Sequence, residues 1–399
     1  MKKILFVAIS ATLLAVGCQK TEIVNPVGNP IGFSIEMGKI TKAEGESTTP
    51  SSYPDAEGDG LLNLKAQNFR LWVYADYEDG NTAVKELDNV YDKMSNLQVT
   101  YQSSDDTWYP VGKEYYWPGV NKSLRFFALS GINLGESLSA TTVVAPAITR
   151  TTKEVAGTDG QTTTVETVTP TLTVNEFTVN HDSPNADLMV ADFVTQNQSN
   201  PQVALNFRHT LSKVQFLFKT LSGSDRDVFV QSISVTGINS KAKLTVSENT
   251  DESTKTTQPM LFSWTDHAEK TGEYKDDHSE TPEDFPTTVE MLNSQADLDK
   301  TSLKLTNSAK EFATWLVIPQ PIKDLQVTVR YIIGQREFET VFPLDKGVTE
   351  ITNDDDTKSP VWLANQYIRY TVTLAPNLIS FEPDVDEWKP TTDVTYPEE

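Results

Sequence analysis

"IGFSIEMG", residues 31–38, alternates apolar with small or polar side chains along its whole length. Ile31, Phe33, Ile35 and Met37 fall on one side, with Gly32, Ser34 and Glu36 on the other. A period of two marks a half-buried β-strand, because successive side chains of an extended chain point to opposite faces. The same period recurs outward from here. In "NFRLWVYADY" (68–77), Phe69, Leu71, Val73 and Ala75 share a side opposite Trp72 and Tyr74. "YYWP" (115–118) and "SLRFFALS" (123–130) read as further strands. Later, Val214, Phe216 and Phe218 line up, as do Leu325, Val327, Val329, Tyr331 and Ile333, and then Ile368, Tyr370, Val372 and Leu374. "ATWLVIPQP" (313–321) is apolar on both sides and reads as a central strand ended by Pro319 and Pro321. Segments of helical spacing are short and scarce, with "AVKELDNVYDKM" (83–94) the best candidate. Many short strands parted by turn signals predict an all-β chain of the antiparallel sandwich class.

Length divides these strands. At 399 residues the chain exceeds what one average core organises, so two domains are expected, with one large sandwich as the alternative. The polar run "DFVTQNQSNPQ" near residue 200 is the expected joint, giving domains over 31–199 and 200–399. One stretch differs in kind: 13 of the 33 residues in 141–173 are Thr, with two Thr/Val arms around "GTDG". An Asp-Gly turn between such arms predicts an exposed hairpin insertion in the first domain; a glycosylated Thr-rich stalk is the competing reading. The formal net charge of −23 argues against nucleic acid, whose phosphates need Lys and Arg, and against adhesion to anionic lipid by charge.

The lone cysteine sits near the start. "MKK" is a positive N-region and "ILFVAISATLLAV" (4–16) an apolar run, too short to span a bilayer and suited to a signal peptide. Its flank "LLAVGC" resembles a bacterial lipobox, with Ala15 where Leu is commonest. Cys18 then becomes an acylated N-terminus, 1–17 a signal peptide and 18–30 a tether; ordinary secretion with an incidental cysteine is the alternative. A single buried acyl chain holds only marginally, whereas two or more make a stable anchor.

Catalytic patterns are absent from the sequence. His181, His209, His267 and His278 have no metal-ligand spacing, and there is no nucleophile elbow, zinc-helix or phosphate-loop motif. His209 reads as a strand-end residue. "DAEGDG" (55–60) imitates the start of a calcium loop, but Ala66 stands where a bidentate Glu is needed, so a solvated acidic loop is expected. "NDDDTK" (353–358) reads as a charged turn. Trp72, Trp108, Trp117 and Trp388 fit core positions better than a glycan platform. No enzyme, metal or cofactor is expected.

Taken in order, "AVGC", "IGFSIEMGKITKA", "FRLWVYADY", "YYWPGVNKSLRFFAL", "ADLMVA", "VALNFRHTLSKVQFLF" and "YIRYTVTLAPNLISFEPDVDEW" resemble the fimbrillin family of Bacteroidales, the subunits and accessory proteins of type V pili. The resemblance spans nearly the whole chain. It implies two transthyretin-like antiparallel β-sandwich domains in tandem, export to the outer membrane as a lipoprotein, and other fimbrial subunits as partners. It also implies assembly by strand exchange, in which a protease removes the first strand and a neighbour fills the groove. Strand 31–38 would be that strand, and the cut would fall between Lys42 and Ala43. The family often has Arg at this point; here the first arginine after Cys18 is Arg70, inside a strand. Either the protease accepts Lys, or the chain stays anchored through lipid on Cys18. Any donated segment would lie within 377–396. A surface lipoprotein that binds glycan or another ligand without polymerising is the alternative.

Overall fold

The computed structural model describes residues 29–37, 64–65, 68–76, 78–79, 82–83, 90–131, 143–156, 162–179, 187–223, 226–256, 258–270, 273–277, 303–334, 336–352, 356–375 and 378–387. The alternating stretches form strands throughout. First come β1 (Gly32–Met37), β2 (Phe69–Asp76), β3 (Leu97–Gln102), β4 (Thr107–Pro110) and β5 (Ser123–Ser130). The Thr-rich region supplies two long strands, β6 (Val143–Ala156) and β7 (Thr162–Thr178). Then β8 (Met189–Ala191) and β9 (Gln202–His209) return to the first sheet. Its order is β1-β9-β8-β5-β2-β3-β4, with Val194–Asn197 also paired to β5.

This order corrects the expected joint. β9 pairs with β1 and β8, and Val203, Leu205 and Phe207 fill the same core as the side chains of β1. The polar run near residue 200 therefore connects strands within one sheet. Its polarity follows from an exposed turn, which looks the same in sequence as a linker.

The longer strands that follow are β10 (Ser212–Lys219), β11 (Val228–Thr236), β12 (Asn239–Glu248), β13 (Met260–Lys270), β14 (Lys310–Val317), β15 (Gln326–Ile333), β16 (Arg336–Pro343), β17 (Gln366–Ala375) and β18 (Leu378–Glu387). One sheet runs β14-β10-β17-β18 and another runs from Glu273–Asp277 through β11, β15 and β16. They face each other: Phe342 of β16 stacks on Phe381 of β18 at 5.1 Å, and Phe381 on Tyr370 of β17 at 5.0 Å. A fourth sheet, β13-β12-β7-β6, contains the Thr-rich strands. Four expectations change here. The Thr-rich hairpin forms, but its base is core of the second half rather than an insertion in the first, because Leu172 and Val174 are fully buried against it. β14 is an edge strand; its two faces are unequal, with Trp315 and Val317 buried and Thr314 and Leu316 half-buried. "YYWP" makes only an isolated bridge, from Tyr116 to Pro30. Of 83–94, the described end is a 3-10 turn at Tyr91–Lys93 interrupted by Asp92 at φ 43°, held to β2 by a bond from the Val73 N–H to the Met94 carbonyl.

Among the described residues two large apolar clusters form, beside a small contact of Phe229 with Ile332, and the first sheet separates the two large ones. Phe69, Leu71, Val73 and Ala75 of β2 enter the smaller cluster, while Trp72 and Tyr74 on its opposite face enter the larger one. β5 divides in the same way, with Phe126 and Ala128 on one side and Phe127 and Leu129 on the other. A strand buried on both faces must be apolar on both, as these are.

Candidate functional site

The residues singled out on the first strand come together as a unit. Ile31, Phe33 and Met37 are buried in the smaller cluster, and Ile35 packs against it half-buried. The Phe33 ring meets Phe69 edge-on at 6.3 Å, and Phe69 in turn contacts Trp108 and Phe207, each at 5.3 Å. Such aromatic contacts add about 0.5–1.5 kcal/mol each beyond the area they bury.

β1 lies parallel to β9, in register from Gly32 opposite Gln202 to Met37 opposite Phe207. β10 is laid likewise, parallel to β17. These pairs depart from the expected antiparallel arrangement, and each joins strands far apart in sequence, as parallel neighbours must be. They differ in one respect. β10 is flanked on its other side by β14, whereas β1 is the edge of its sheet. Across the open side, among the described residues, the chain is tied just ahead of β1: the Ile31 N–H donates to the Tyr115 carbonyl at 2.8 Å, and the Trp117 N–H to the Asn29 carbonyl at 3.0 Å.

Cys18, Lys42, Ala43 and the acidic stretch 55–60 lie outside the described residues, as do His181, His278 and Trp388. Trp72, Trp108 and Trp117 are core residues. His209 ends β9, and its Nδ1 lies 2.9 Å from the carboxylate of fully buried Asp187, sealed from any substrate. This pair escapes sequence reading, since 22 residues separate its members with no motif between. His267 contacts the Pro319 carbonyl through Nε2 at 2.9 Å. Among the described residues, no group of three or more His, Cys, Asp or Glu side chains gathers as a metal site.

This geometry defines an all-β protein with a buried strand, β1, at the edge of its first sheet. A family model described as fimbrillin-like matches residues 63–388, and the chain belongs to that family, one of structural proteins rather than enzymes. No curated protein matches the chain. Among solved structures, a fimbrial protein from Bacteroides vulgatus aligns with TM-score 0.50 at 16% identity, covering 90% of this chain and 99% of that one. Putative cell adhesion proteins from Bacteroides uniformis and Bacteroides ovatus align with TM-scores of 0.43 and 0.44, at 14% and 12% identity. They cover 90% and 92% of this chain and 99% of each of those.

Proposed function

We propose that the protein is a structural or accessory subunit of a cell-surface fimbria, exported to the outer membrane as a lipoprotein through Cys18 and assembled with other subunits by strand exchange. A cut between Lys42 and Ala43 releases β1, and the extended segment of a neighbouring subunit takes its place. The observation that carries this reading is the position of β1: an edge strand, joined to its sheet by one ladder, whose apolar side chains fill a groove lined by Phe69, Val203, Leu205 and Phe207. Backbone bonds from the exposed edge of β9 would give a replacement strand its affinity, and pockets for alternate side chains its register.

Burying side chains of this size contributes roughly 1.5–3 kcal/mol each, so Ile31, Phe33 and Met37 together are comparable with the whole stability margin of a typical domain. A chain of residues 43–399 is therefore expected to bind apolar dyes, melt earlier and associate with its own kind, relative to residues 19–399. Light scattering, dye fluorescence and thermal melting measure this. A compact, dye-silent 43–399 monomer, as stable as the longer chain, would overturn the proposal.

A further inference from the structure

The start of β1 forms one wall of a cleft of about 700 Å³, within the roughly 300–1,000 Å³ typical of small-ligand sites. The facing wall is β4 and the loop after it, including Trp108, Tyr109 and Tyr115; Pro201 and Gln202 close the end. Because Asn29–Gly32 line it, the cleft is complete only while β1 is in place.

Three features define what fits there. First, Tyr109 presents an aromatic ring that is 39% exposed and already fixed, its hydroxyl donating to Asp105 Oδ2 at 2.6 Å. That hydrogen bond, and secondarily desolvation, holds the phenol above its usual pKa, so it stays protonated. A rigid, amphipathic ring gives contact area at little entropic cost. Second, the one basic side chain in the walls is already paired: Lys113 Nζ is 2.8 Å from Asp92, so no anion is called for, while the Glu114 carboxylate accepts from the Tyr116 hydroxyl at 2.6 Å. Third, Pro30, Pro110 and Pro201 line the cleft and have no N–H, while the Ile31 and Trp117 N–H groups are already bonded across it. An added peptide strand would lack ladder donors at this end.

From these features we infer that the cleft is a binding site for a neutral saccharide of two or three rings. The apolar face of one ring stacks on Tyr109, and its hydroxyls meet the side-chain amides of Asn29 and Gln202. A sugar has just such a division, with C–H groups on its faces and hydroxyls at its edge. The inference stands independently of strand exchange, since it concerns the intact chain.

The test is binding of the full exported chain to an array of immobilised neutral and acidic glycans, followed by titration calorimetry with the best-retained one. Tyr109→Ala is the variant, and Phe338→Ala, an aromatic 40% exposed on β16 and absent from the cleft, is the control. Retention of a neutral glycan is expected, weakened at least tenfold by Tyr109→Ala and unchanged by Phe338→Ala, with all three proteins melting alike. Retention of acidic glycans alone, equal loss in both variants, or no neutral glycan held above the Tyr109→Ala level would each overturn it. So would an unstructured peptide that competes for the cleft while no glycan does.

Discussion

Gly131 follows directly on β5 with φ +87°, and a Cβ built on it would lie 1.9 Å from the carbonyl oxygen of Asp187. This close approach brings Asp187 beneath β5, where it meets His209 at the end of β9 and helps to hold the two strands' ends together. Gly112 has φ +108° but nothing within 4 Å of its Cβ position. Gly131→Ala is therefore expected to cost at least about 2 kcal/mol more than Gly112→Ala, since both carry backbone strain and only the first also collides with backbone. Chemical denaturation of the two variants measures the difference; equal costs would show that the approach of Asp187 to Gly131 is not tight. In the sequence, Gly131 is simply a glycine after a strand. Its second role depends on a residue far along the chain.

At the scale of elements, the Thr-rich hairpin separates into two parts. β7 pairs with β12 from Thr171 to Thr178, but from Ala156/Thr162 down to Thr149/Thr169 its partner among the described residues is β6 alone. A two-stranded ribbon is marginal by itself, so this outer part adds little to stability. Replacing residues 150–168 with Asn-Gly should change stability by less than about 1 kcal/mol, because closure entropy varies slowly with loop length. Leu172→Ala, within the part that packs, should cost about 2–5 kcal/mol. Thermal melting distinguishes these outcomes, and a large loss from the ribbon replacement would show that its threonines pack after all. The hairpin itself was legible from "GTDG" between Thr/Val arms. The partner of its base was not, because pairing with β12 joins segments some 70 residues apart, and no local period reports that.

For the molecule as a whole, a net charge of −23 makes copies repel at long range, so any assembly has to rest on specific short-range contacts. If Cys18 carries lipid as proposed, a membrane tether would raise the local concentration at which such contacts form. Cys18→Ala is expected to abolish incorporation of a fatty-acid analogue and to release the protein from the membrane fraction. Equal labelling of the variant would rule out acylation at this thiol. The two large clusters are organised around the first sheet, with the strands β2, β5 and β8 contributing to both. Loosening β1 would thus disturb the smaller cluster first, since Ile31, Phe33 and Met37 all lie there.

The sequence by itself determined that the chain is built of strands, which side of each strand is apolar, and that β1 carries a row of pegs. These follow from the alternation of faces along an extended backbone, a local property that a strand of about six to eight residues displays by itself. Only the tertiary structure decided that β9 belongs beside β1 rather than beyond a joint, that β14 sits at an edge, and that the Thr-rich strands complete a sheet of the second half. It also decided that Trp72 and Tyr74 enter a different core from Phe69, Leu71 and Val73 on the same strand. Those outcomes depend on which distant strand offers a matching ladder and a complementary apolar face, and that choice is made by burial over the whole molecule.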